Sequence, residues 1–314
     1  LGLACYKVEW HDLVQAIRRA DIRFILIGIV LLQLNLILRA WRWQVLLRPL
    51  GKFGLFKECF SYYMIGYMSN LLLPLRAGEI IRPYFFGKKN GISKTAVFAS
   101  IVVERLIDMV FLACMLSFVI FISAVQVPVK VKHGVFALAG IACFVMVLLY
   151  GLSLDHQLIS KFKWIELLPQ KFRDKALKMI TSATESLSFL HNFTTIILVS
   201  CSTLGIWICG VLTVRYYLVS FGIDVPWYAP IFVIVVTNLG MMVPSSPGFI
   251  GVAHFLYVFS LSLFGVNKNT ALGFAIVIHG ISFVVIVLLG LVSLWKEGLS
   301  FANISKTRLR ENVR

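Results

Sequence analysis

Six ionisable residues lie close together in apolar surroundings: Arg76, Glu79 and Arg82 in one short stretch, then Glu104, Arg105 and Asp108 in the next. Within a bilayer each such charge costs about 2.5–3.5 kcal/mol even on a lenient scale, so the group signals either function or mutual pairing. On a helix Glu104 and Asp108, four residues apart, share a face. Arg105 lies about 100° round and still reaches Asp108 or a carboxylate of the earlier stretch. Two chemistries fit. The charges form an ion cluster that pins one element to another, since buried charges are generally paired. Alternatively, Arg76, Arg82 and Arg105 offer a cationic site to phosphate oxygens, which suit the guanidinium fork, with Glu79, Glu104 and Asp108 orienting them or exchanging protons. Arg76 and Arg82 are the expected ligand groups because they sit on a chain-breaking segment; Arg105 with Asp108 is the expected scaffold.

The second half supplies polar groups without charge: Asn238, Ser245, Ser246, His254 and His279, with Asn70 matching Asn238 in the first half. Burial favours neutral imidazole, so the two histidines read either as core residues or as a pH-sensitive pair. The run PSSPG ahead of apolar sequence resembles a helix start, with Ser246 as cap and free amides that attract anions. Nucleophile triads, phosphate-cradling lysine loops, dinucleotide fingerprints and metal-ligand spacings do not occur, so neither catalysis, a metal nor a cofactor is expected.

The elements that must position these groups come as two worn copies. NLLLPLRAGEIIRPYFF (Asn70 to Phe86) resembles NLGMMVPSSPGFIGVAHFL (Asn238 to Leu256), each with an Asn, then a Pro, then a Gly four residues on: Pro74 to Gly78 and Pro244 to Gly248. Downstream, GISKTAVFASIVVERLIDMVF (Gly91 to Phe111) matches GVNKNTALGFAIVIHGISFVV (Gly265 to Val285). Repeats in membrane proteins place the substrate site where the halves meet.

Composition sets the solvent. With 59% hydrophobic and 14% charged residues and a mean hydropathy of +0.89, the chain has too little polar surface for a soluble globule and belongs in a bilayer. The net charge of +16 lies in short segments between apolar runs, the pattern of cytoplasmic membrane loops, which excludes nucleic acid as a partner. The six cysteines read as small buried hydrophobes. The opening LGLACYKVEW reads as the tail of a membrane helix rather than a cleaved signal.

Runs at roughly 22–40, 95–125, 134–154, 194–220 and 269–295 are apolar enough to span a bilayer. Residues 56–87 and 228–264 are instead interrupted by prolines (Pro74; Pro244 and Pro247) and by glycines (Gly78; Gly248 and Gly251). Irregular backbone at membrane depth must line protein or a water-filled cavity, so both regions are expected to be re-entrant hairpins, the alternative being two kinked helix pairs that cross fully. Basic residues bracket the first one: Arg39, Arg42, Arg48, Lys52 and Lys57 before it, Lys88, Lys89 and Lys94 after it. Its two ends are therefore expected in the cytoplasm, whereas the loop around Asp224 is expected outside. VPVKVKHG, with Lys130, Lys132 and His133, falls in an exterior loop and opposes this orientation in part. The expected organisation is one transmembrane domain: repeat one about 22–125, a connecting helix and amphipathic segment about 134–193, repeat two about 194–295, and a basic cytoplasmic tail at 296–314. From Pro169 to Leu190 apolar residues recur at helical spacing, which suggests a surface helix or a plain connector.

On KVEW, RAWRW, PLRAGEIIRP, ERLIDM and PSSPGFIG the chain resembles the flippase-like transmembrane region of lysylphosphatidylglycerol synthases, along nearly its whole length. The resemblance implies an inner-membrane protein that moves a lipid between leaflets. It points to Arg76, Glu79, Arg82, Glu104, Arg105 and Asp108, with Pro244, Pro247 and Gly248 shaping the second hairpin. His254 and His279 stand where the family often has Glu and Arg. The soluble transferase domain of the fused enzymes has no counterpart here, so synthesis of aminoacyl lipid is not expected of this chain. The reading is thus an all-α polytopic protein of the prokaryotic cytoplasmic membrane with two inverted repeats. Its expected activity is translocation of a lipid with an anionic or zwitterionic phosphate head group. The alternatives are a lipid-modifying transferase and an accessory subunit of a synthase; a second copy of the chain and a partner synthase are further candidate partners.

Overall fold

A computed structural model describes residues 20–51, 55–122, 129–154, 192–242 and 246–300, with isolated positions between 169 and 181. The expected first-helix tail, Cys5, most of the amphipathic stretch 169–190, the basic tail beyond Ser300, and Pro244 and Ser245 lie outside the described residues. The protein is all-helical there: α1 (Ile22–Leu47), α2 (Phe56–Leu72), α3 (Gly78–Asn90), α4 (Lys94–Ile122), α5 (Val129–Leu154), α6 (Phe193–Ser220), α7 (Ala229–Met242), α8 (Val252–Ser262) and α9 (Lys268–Lys296). It is an integral membrane protein. The stretches Ile22–Leu50, Lys94–Ile122, Phe193–Ser220 and Lys268–Lys296 are long and apolar enough to cross a bilayer. Two boundaries differ from expectation. The first span runs on past residue 40 to Leu47, and VKVKHG forms the first turns of α5 rather than a loop.

Helices start where short polar side chains occupy free backbone amides: the Asp21 carboxylate accepts from the Arg23 N–H at 2.9 Å, and Asn267 accepts from Asn269 at 2.8 Å. Both interrupted regions are antiparallel hairpins. In the first, Gly78 at the start of α3 packs on Gly66 of α2, while Asn90 at its end donates to Glu58 at 3.0 Å. In the second, Gly240 near the end of α7 packs on Leu256 of α8, and Phe264 beyond α8 meets Tyr228 and Phe232 at the start of α7. With 17, 13, 14 and 11 residues, the hairpin arms are about 17–26 Å long, short of the roughly 30 Å hydrocarbon core.

The turns correct the register of the repeats. Pro74 and Pro247 each open a 3₁₀ turn followed by two left-handed residues, Leu75 (φ 59°) and Arg76 (φ 52°) in one, Gly248 (φ 66°) and Phe249 (φ 54°) in the other. The counterpart of Pro74 is therefore Pro247, not Pro244, and that of Gly78 is Gly251, which caps α8. The second loop is longer by the residues that obscured the match.

Long helices fix where the hairpins open. The mouth of the first hairpin lies at the end of α9, where Lys89 reaches Glu297 at 2.6 Å and Glu58 at 3.5 Å. That of the second lies at the start of α9, beside Phe264, and near the end of α4, where Phe118 meets Trp227. The two mouths thus face opposite ends of the bundle. Packing between elements follows a matching exchange: α2 lies on α9 as α7 lies on α4, and α1 pairs with α6. α5 packs on α4.

Candidate functional site

The broken helices bring charge to the centre of the bundle because their turns end there, at the tips of short arms. Arg76 occupies the left-handed tip of the first hairpin, a conformation that costs a non-glycine residue about 1–2 kcal/mol and so needs compensation. It bonds to Glu79 at 2.8 Å and donates to the carbonyl of Met242 at 3.0 Å, at the C-terminal end of α7. A cation at a helix C-terminus is favourable, and this contact joins the two hairpin tips.

Behind the tip lies a buried network that the charge tally of the sequence misplaced. Arg39 and Arg42, counted there as cytoplasmic loop residues, are inside α1, and Arg42 is fully buried. Arg42 reaches Asp108 at 2.8 Å, Glu104 at 3.6 Å and the Thr203 hydroxyl at 3.1 Å. Arg39 bonds to Asn35 at 2.9 Å, approaches Asp108 at 3.5 Å and stacks over Trp207. Helical position was the available signal: Arg39 and Arg42 are spaced three apart, ahead of Trp43, on a run that, but for Gln44, continues apolar to Leu47.

Arg82 was expected as a ligand group, but it is 5% exposed, bonded to Glu104 at 2.8 Å and stacked on Trp43 with 3.9 Å to the ring centre. It holds the hairpin to α4. Arg105, expected as scaffold, is the less satisfied cation. Its three carboxylate neighbours, Asp108, Glu79 and Glu104, stand at 3.7, 3.8 and 3.9 Å, and its Nε is buried without a hydrogen-bond partner. Helical spacing led to the expectation of Asp108 or a hairpin carboxylate beside Arg105, and the structure places both Asp108 and Glu79 within ion-pair range. In all, Arg39, Arg42, Arg76, Arg82 and Arg105 face Glu79, Glu104 and Asp108, leaving the connected cluster with an excess of positive charge.

A cavity of about 200 Å³ lies where the halves meet. Arg76 and Arg105 face it from the first half, with Asn70 and Tyr67; Asn238 and His279 face it from the second. The Asn70 carbonyl oxygen and the His279 Nε2 are buried there without hydrogen-bond partners. By the register of GISKTAV and GVNKNTA, His279 is the counterpart of Arg105, and both line the cavity. Arg39, Asn35, Thr213, Thr237 and Ser282 also line it, and the rest of the wall is mainly apolar, including Leu36, Ile234, Phe249 and Phe283. Glu104, Asp108 and Arg82 stand behind this lining rather than on it.

Other expected residues have structural places. His254 sits behind His279, ring centres 5.0 Å apart, and its Nδ1 accepts from the Gly251 N–H at 3.2 Å, capping α8. Ser246 is not that cap: it is exposed and donates to the Ile250 carbonyl at 2.7 Å. Gly78 is required by close approach, since a Cβ there would meet the Gly66 carbonyl and stand 2.7 Å from Asn70 Oδ1. Of the cysteines, Cys59 and Cys209 are buried, whereas Cys114, Cys143 and Cys201 lie on outer helix faces, against expectation. At the first mouth the hydrogen bond to Glu297 holds the Lys89 ammonium pKa above its ordinary value. Among the described residues no group of three His, Cys, Asp or Glu side chains could hold a metal ion.

Fold and site together define a polytopic helical membrane protein with a cationic cavity between its halves. The chain belongs to the family described as the lysylphosphatidylglycerol synthase TM region, which it matches over residues 1–290. It is 22% identical to the glycosyltransferase AglD of Haloferax volcanii over 96% of this chain and 53% of that protein, so it spans about half of that relative's length. It is 24% identical to a UPF0104 membrane protein of Methanocaldococcus jannaschii (71% of this chain, 91% of that protein). A UPF0104 membrane protein of Methanothermobacter thermautotrophicus is 23% identical over 90% of this chain and 88% of its own length. No solved structure matches the chain.

Proposed function

We propose that the protein is a carrier, not an enzyme, and moves a phosphate-headed lipid between the leaflets of the prokaryotic cytoplasmic membrane. The lipid is of the phospholipid, aminoacyl-phospholipid or polyprenyl-phosphate type. Its two halves act as inverted repeats whose hairpins enter from opposite faces, with the mouth of the first hairpin and the basic tail in the cytoplasm. Arg48, Lys57, Lys88, Lys89 and Lys94 favour that orientation without help from Arg39 and Arg42. The observation that carries the reading is Arg105. It is a cavity-lining guanidinium with no carboxylate oxygen nearer than 3.7 Å, inside a cluster whose arginines outnumber its carboxylates. A phosphate between Arg105 and Arg76 would supply the missing acceptor oxygens. A cavity of this size suits a head group, with acyl chains left in the bilayer.

The name of the Haloferax relative favours one second reading, an accessory to glycosyl transfer on a lipid carrier, in which the substrate would be the polyprenyl-phosphate type. Purified protein in liposomes carrying fluorescent head-group-labelled lipids decides between them. Loss of protection from an impermeant quencher, abolished by Arg105→Gln, is the expected result. Full protection with every lipid class would refute the carrier.

A further inference from the structure

We propose that a groove between α2 and α9 binds one anionic glycerophospholipid of the bilayer, and that the α2–α9 seam leads this lipid to the central cavity. The groove measures about 730 Å³ and lies at the mouth of the first hairpin. Its walls are apolar, Leu55, Phe56 and Phe60 on one side and Leu289 and Val292 on the other. Two lysines, Lys57 and Lys296, stand on its rim, exposed and without an ion pair among the described residues. The rim also carries Glu58 and Glu297, but these are already engaged. Lys89 contacts both, and Asn90 donates to Glu58. An apolar trough crowned by two unpaired ammonium groups is complementary to an acyl chain beneath a phosphate.

The groove is continuous with the cavity along one helix pair. On α9, Leu289 and Ser293 flank the groove while Ile286 and Phe283 line the cavity; on α2, Ser61 lies at the groove and Leu71 at the cavity. Between them the seam is closed by Gly290 packed on Met68, so tightly that a Cβ on Gly290 would collide with the Met68 side chain. An unbranched thioether is the side chain that most readily swings aside. The route rests on the carrier reading above; occupancy of the groove does not.

The full chain in nanodiscs is probed with phosphatidylglycerol and phosphatidylcholine, each bearing a photoactivatable acyl chain, and adducts are mapped by peptide mass spectrometry. Adducts on residues 56–60 and 289–292 are expected with the anionic probe, and should fall by about tenfold in Lys57→Gln/Lys296→Gln, since each lysine near an anionic head group matters at this level. Equal labelling by both probes, unchanged in the double variant, would reduce the groove to ordinary lipid contact and overturn the site. Met68→Phe, whose rigid ring cannot swing aside as the thioether does, should keep its groove adducts, lose adducts on the cavity side at Leu71 and Phe283, and stop translocating, whereas the flexible Met68→Leu should translocate. Translocation at the wild-type rate by Met68→Phe would overturn the route while leaving the carrier intact. Groove adducts without translocation by any variant would overturn the carrier and the route, and spare the groove site.

Discussion

Replacing Arg42 by glutamine removes the cation wedged between Asp108, at 2.8 Å, and Glu104, at 3.6 Å, and leaves Asp108 with only the longer contacts to Arg39, at 3.5 Å, and Arg105, at 3.7 Å, while Glu104 keeps Arg82. Cutting one member from a buried pair costs about 3–5 kcal/mol when the partner charge is left uncompensated, and the remaining arginines put this variant at the lower end. On the scale of soluble proteins, where 1 kcal/mol moves Tm by about 2–4 °C, the melting point in detergent should fall by roughly 10 °C. Adding Asp108→Asn to Arg42→Gln should recover much of this, since the orphaned charge goes with its partner, and the double-mutant cycle should show coupling of about 1–3 kcal/mol. Arg105→Gln is the contrast. Its nearest carboxylate oxygen is 3.7 Å away and its side chain is partly open to the cavity, so its melting point should fall by far less. The same variant should lose the additional stability that lipid confers by mass action. The assay is thermal unfolding of purified protein with and without added lipid. Equal destabilisation by Arg42→Gln and Arg105→Gln without lipid would refute the division into buried staple and open ligand group.

Gly78→Ala would drive a methyl group into the Gly66 carbonyl and pry the first hairpin apart; a loss of about 1–3 kcal/mol and of translocation is expected, measured by melting and flux together. Cysteines placed at Arg48 and Lys89 should label from one face of the membrane and one at Asp224 from the other, and opposite labelling of Arg48 and Lys89 would contradict the hairpin. His254→Phe removes the acceptor that caps α8 at Gly251 and should cost about 1 kcal/mol in melting experiments. His279→Phe, with an unpartnered Nε2 in the cavity wall, should change lipid binding more than stability.

Much of the architecture was legible because it follows from the bilayer. The long apolar runs, the Pro/Gly interruptions and the grouping of Glu104 with Asp108 on one helix face depend on local rules that need no tertiary information. What the sequence hid was depth. Arg39 and Arg42 look like the positive edge of a membrane loop, and only packing of α1 against α4 and α6 shows them to be the partners of Asp108. Likewise Arg82 and Arg105 have the same chemistry and lie in similar contexts. Trp43 beneath Arg82, and the lack of a close acceptor at Arg105, decide which one is left for a ligand. The misread register had a simpler cause, since both Pro244 and Pro247 precede a glycine by four residues, and only the left-handed pair Gly248 and Phe249 reveals which proline turns the chain.

The central claim is that a lipid phosphate sits between the tip of the first hairpin and α4. An experimental structure of the protein in nanodiscs, with translocated lipid in excess, tests it directly. Phosphate density within hydrogen-bond distance of Arg76 and Arg105 is the expected result, with the Arg76 contact to the Met242 carbonyl loosened. A translocating preparation whose lipids lie only on the outer helix faces, with Arg76 and Arg105 bound to nothing but Glu79, Glu104 and Asp108, would contradict it.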